Sequence, residues 1–140
     1  MTTLANHPVV SARKLLYLAP IAGLAAAILN VILFFVGTTT GAIPADFIIP
    51  NAGQPLTVVP VIMASIVPAL IAGLVLAILG RFAKKPLTVF NILSVVLLVL
   101  SFSSPFTVPG MPLGMIVILE LMHVVVAGAV MLVFNRYARD

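Results

Sequence analysis

Four stretches of nearly unbroken apolar residues, 15 to 38, 57 to 80, 87 to 104 and 112 to 135, alternate with short segments rich in proline, glycine and charge. Each is close to the ~17–25 residues that cross hydrocarbon as a helix, the third being the shortest. Proline lacks an amide donor and glycine permits turn geometry, so the intervening TTGAIPADFIIPNAGQPL, RFAKKP and SPFTVPG segments end the helices. The pattern predicts an all-α membrane protein: a single domain over residues 1 to 140, built of four antiparallel transmembrane helices with one longer and two shorter connections. Residues 1 to 12, with Pro8 and little periodicity, are expected to form a frayed or interfacial arm, in which His7 is solvated.

Composition strengthens this picture. Of 140 residues, 63% are hydrophobic and 7% charged, and the mean hydropathy is +1.33. No cysteine is present, which excludes disulfides and thiolate chemistry. The net charge of +4 comes from scattered residues with no soluble domain to display them, so it points to topology and away from nucleic acid as a partner. Arg13 and Lys14 precede the first helix, Arg81, Lys84 and Lys85 lie between the second and third, and Arg136 and Arg139 follow the fourth. The two other loops carry no positive charge, so the positive-inside rule puts both termini and the middle loop in the cytoplasm. A cleaved signal peptide at the first helix is not expected, because its apolar run exceeds the ~7–15 residues of a signal core.

Small residues recur at four-residue spacing on one face of each of the first two helices: Ala19, Gly23 and Ala27, then Ala69, Gly73 and Ala77. In lipid, close backbone approach substitutes for hydrophobic drive, so these faces either pack the two helices together or form a homo-oligomer seam. Pro68 leaves the carbonyl of Ala64 without its amide partner and bends the second helix. The apolar first loop, with Asp46 its single charge, is expected to lie on the membrane surface or fold back over the helix ends, as an anchor, a lid or a partner contact.

Depth, counted at ~1.5 Å per residue, places Asn30, Ser65, Ser94 and Glu120 about 12 to 15 Å below the outer ends of their helices, with His123 one turn deeper. Asn30 continues the small face of the first helix and Ser65 that of the second, so the layer points into the bundle. An ionised carboxylate near mid-membrane costs about 2.5 to 3.5 kcal/mol on insertion scales, so Glu120 needs a partner, water or a proton, and His123 is the nearest candidate. Glu120, His123, Asn30 and Ser65 are therefore the candidate ligand- or proton-binding residues, against the alternative of a hydrogen-bonded clamp that fixes helix register. One Glu-x-x-His unit falls short of the two, with two further glutamates, that a di-iron bundle uses, so no metal is expected. No phosphate loop, nucleophile elbow or Ser/His/Asp set is present, so neither a catalytic residue nor a cofactor is expected.

The basic-flanked first helix, the LAILGRFAKKP turn and the LELMHVVVAGAV stretch resemble a family of uncharacterised small bacterial four-helix membrane proteins. The resemblance implies a multi-pass protein of the bacterial inner membrane and brings no activity or catalytic residue. Two functions follow as expectations: a module that binds or passes a small ligand or proton at the polar layer, or a noncatalytic accessory subunit of a membrane complex, with a homo-oligomer or another membrane protein as partner.

Overall fold

The computed structural model describes residues 10–139. Four long helices make up the fold: α1 (Ala12–Thr39), α2 (Val58–Phe82), α3 (Pro86–Ser101) and α4 (Leu113–Tyr137), with no strand among the described residues. All four are long and apolar enough to cross a membrane, α3 when counted together with the short 3₁₀ turn that follows it. The third apolar stretch does not remain helical to residue 104. It leaves the α-helix at Ser101, and the chain re-forms a single 3₁₀ turn at Pro105–Thr107. Ser101 and Ser103 turn their hydroxyls back to the carbonyls of Leu98 and Leu100, satisfying acceptors that the ending helix leaves open.

The helices form a ring in which α1 packs along α2 and α4, α3 packs along α2 and α4, and α1 lies opposite α3. The α1–α2 contact is the closest, and the small residues produce it. Ala19, Gly23, Ala27, Ala69 and Gly73 are all buried. A β-carbon on Gly23 would stand 3.1 Å from the Ile66 Cα, and one on Gly73 only 2.6 Å from the Ala19 Cβ. These faces are consumed inside the protomer, so the packing role expected of them is met within one chain.

Two apolar clusters hold the ring. At the end where the described termini meet, Leu15, Leu18, Leu76, Leu87, Phe90 and Phe134 pack together. Val10 belongs to this cluster and bridges to Arg139, and the Ser11 amide donates to the Ala138 carbonyl at 2.9 Å. These two residues therefore depart from the expected frayed arm, because Val10 packs against Gly80, where the absent side chain leaves room. Ala12 is already the first residue of α1, and residues 1–9 of that arm, with His7, lie outside the described residues.

At the opposite end the first loop folds back over the bundle, one of the placements its apolar character predicts. Ile43 is buried against Gly37, where its side chain occupies the space of a missing β-carbon, and joins Phe34, Val61, Met115, Ile118 and Met122. Ala42 packs against Gly114 at the start of α4, where an added β-carbon would stand 3.1 Å from its Cα. Asp46 stays exposed at the loop tip.

α3 is the loosest member. Its only buried residues are Leu87 and Phe90, both in its first two turns. Beyond them its residues are half-buried or exposed, and Ser94, Leu97, Leu98 and Ser101 line the cavity described next.

Candidate functional site

Asn30 and Ser65 meet in the bundle, with 2% and 0% exposure. The Asn30 amide nitrogen donates to the Ser65 hydroxyl oxygen at 2.9 Å and to the Met122 carbonyl at 3.3 Å. Ser65 in turn donates to the Val61 carbonyl at 2.9 Å. The direction of the Asn30 amide is fixed chemically. A carbonyl only accepts, and the Ser65 proton is already committed to Val61, so both neighbours require the nitrogen of Asn30. Its oxygen therefore faces elsewhere and has no hydrogen-bond partner.

A cavity of about 480 Å³ lies between α2, α3 and α4, with Asn30 of α1 in its floor. Most of the wall is apolar, including Val61, Pro68, Leu98, Met122 and Val126; Asn30, Ser94, Ser101 and His123 supply the polar side chains. Among the lining residues, Asn30, Val61, Met122 and Val130 are buried, whereas Pro60, Ala64, Pro68 and Leu97 are exposed. The floor is thus formed by α1 and α4, and the mouth opens sideways between α2 and α3. Pro68 contributes twice. It shapes the wall, and its missing N–H leaves the Ala64 carbonyl, in the same wall, without the usual helical donor.

His123 lines this cavity, while its Nδ1 lies 2.7 Å from the Leu119 carbonyl one turn back. Because that carbonyl can only accept, Nδ1 carries the proton. In the neutral ring this leaves Nε2 as an acceptor. Glu120 is placed differently. It is not part of the cavity wall, and both of its carboxyl oxygens are enclosed without a hydrogen bond. The proton-sharing pair with His123 that the three-residue spacing suggests is therefore absent, since the histidine proton goes to its own helix backbone. Three residues turn a helix by about 300°, so the two side chains leave α4 about 60° apart. That angle is enough for one to reach the cavity while the other does not.

Of the four residues singled out in the sequence, the structure brings Asn30, Ser65 and His123 to one cavity or its immediate support and sets Glu120 apart. Ser94, whose direction depth alone does not define, proves to line the cavity as well. One polar contact escapes the sequence reading. Asn91 and Asn135 exchange amide hydrogen bonds, each donating to the other's oxygen at 2.9 and 2.8 Å, and Asn135 also donates to the Met131 carbonyl at 2.7 Å. With the Phe90–Phe134 ring contact at 5.5 Å, this pair fastens α3 to α4 at the termini end. The available signal was depth: Asn91 lies just inside the start of α3 and Asn135 just inside the end of α4.

Among curated proteins and solved structures, nothing matches the chain. The match that exists is to a family model, that of a family of unknown function, DUF6069, over residues 10–140. A helical bundle of four membrane-crossing lengths, with Asn30, Ser94, Ser101 and His123 lining one cavity, is thus the architecture of a DUF6069 member, and the chain belongs to that family.

Proposed function

We propose that the protein is a membrane-embedded binding protein that admits a small, mainly apolar molecule into the cavity between α2, α3 and α4. Its helices run antiparallel across the inner membrane of a bacterium, with both termini and the α2–α3 loop in the cytoplasm, as the placement of all seven Lys and Arg residues favours. One observation carries the functional reading: the cavity volume of about 480 Å³ falls in the range of small-molecule sites, and its mouth lies between two lipid-facing helices. His123 orients the guest, and Asn30, held in place by Ser65, forms the floor beneath it. Glu120, outside the wall, makes no direct contact with the guest.

The reading is tested by gentle detergent extraction followed by mass measurement of the intact protein. Wild type is expected to retain a small apolar adduct or to take one up from lipid extract, and Ala64→Phe, which fills the mouth, is expected to lose it while staying folded. Equal adduct levels in both proteins count against the cavity as the site.

A noncatalytic accessory subunit is the second reading, and the shallow burial of α3 favours it, since a partner helix could lie along its outer face. The small-residue faces of α1 and α2 are not open to such a partner. A protein that co-purifies in fixed stoichiometry, and is lost when Val96 and Leu100 of α3 are made bulky, supports this alternative.

A further inference from the structure

The hydrogen-bonding groups in the cavity are almost all acceptors, and this constrains the guest. Asn30 offers the cavity no donor, because its nitrogen is committed to Ser65 and Met122, and its unpartnered oxygen is enclosed. In its neutral form His123 presents Nε2 as an acceptor, because Nδ1 is committed to Leu119. The Ala64 carbonyl lacks its helical donor because residue 68 is proline. Ser101 has already given its proton to Leu98. Among the described residues of the wall, the Ser94 hydroxyl alone has a proton not committed elsewhere. No lysine or arginine lines the cavity.

We infer that the guest is a neutral amphiphile bearing a hydroxyl, such as a long-chain alcohol or an alkylated phenol, whose O–H donates to His123 Nε2. The inference rests on the binding role proposed above and adds the chemical class. A hydroxyl suits the wall because it donates to an acceptor and can also accept from Ser94. A ketone, ether or ester offers the acceptors nothing, and in a low-dielectric setting they then stay unpaired at a cost. A carboxylate fares worse: it brings a charge into an apolar cavity that has one available donor and no cation.

Three probes of nearly the same shape separate these cases: para-octylphenol, its methyl ether and para-octylbenzoate, titrated against the full-length protein in detergent or nanodiscs. The phenol is expected to bind at least about tenfold more tightly than the ether, with the benzoate weakest. His123→Phe, which keeps a ring but removes the acceptor, should bring the phenol down towards the ether while leaving the ether's own affinity unchanged. Ser94→Ala removes the one uncommitted donor, leaves His123 Nε2 in place and is expected to preserve the order of the three. Equal affinities for phenol and ether, or tightest binding of the benzoate, overturn the inference and leave the cavity as a binding site of another selectivity. If none of the three binds to wild type, and Ala64→Phe behaves identically, both the inference and the underlying binding role fall.

Discussion

Asn30 is bonded through its nitrogen alone, and its oxygen is enclosed without a partner. The nitrogen ties α1 to Ser65 of α2 and to the backbone of α4. Such interhelical bonds in membranes are worth about 0.6 to 2 kcal/mol. Ser65→Ala, which removes one acceptor of that nitrogen, is expected to lower stability by a similar amount, about 0.5 to 2 kcal/mol, in thermal unfolding in detergent. Glu120 predicts the opposite sign. Its two enclosed oxygens have no partner, and removing an unsatisfied buried polar group relieves a penalty of about 1 to 3 kcal/mol. Glu120→Leu should therefore unfold at a temperature equal to or higher than wild type, and a clear loss of stability would show that the carboxyl group has a partner in the membrane. Asn30 and Ser65 were legible as a pair because each continues a small-residue face at matching depth. The separation of Glu120 from His123 was not, since it turns on a rotation of about 60° around α4, smaller than helical spacing alone defines against unknown neighbours.

At the scale of helices, different pairs are joined by different means. α1 and α2 approach through missing side chains, and Gly73 has no room for one: the first added carbon would meet the Ala19 Cβ at 2.6 Å. Gly73→Leu is expected to force the helices apart at a cost of at least about 1 to 3 kcal/mol, read as a lowered thermal midpoint and reduced yield of folded protein. α3 is joined to α4 at the termini end by the Asn91–Asn135 amide pair and the Phe90–Phe134 contact. Asn135→Leu leaves the Asn91 amide unpaired and should raise hydrogen exchange along α3 more than along α1, measured in detergent or nanodiscs. The four helices themselves were legible from run length and hydropathy, with ends displaced by a few residues. The early end of α3 was not, because the apolar run continues through Phe102 and only the local turn made by Ser101 to Ser104 interrupts it. The shallow burial of α3 depends on how α2 and α4 fill the space between them, which no single-helix pattern contains.

Across the whole molecule, the bundle is tight where α1 lies and open where α3 lies. The apolar first loop seals one end through Ile43, and the cluster around Phe134 seals the other. The exposed lining residues Pro60, Ala64, Pro68 and Leu97 belong to α2 and α3, so access to the cavity runs sideways between these helices. A route from the bilayer suits a guest that partitions into lipid and does not suit a hydrated ion, which would need a polar lining that these walls lack. The central claim is that this cavity takes up such a guest. It is tested most directly by photolabelling in proteoliposomes with an alkylphenol that carries a diazirine on its chain, followed by peptide mapping. The predicted result is that adducts concentrate on Pro60 to Ala72, Ser94 to Ser101 and Leu119 to Val130, and that excess unlabelled alkylphenol suppresses them. Adducts spread evenly over outward residues such as Leu16, Ile28 and Leu132, and unaffected by the competitor, would contradict it.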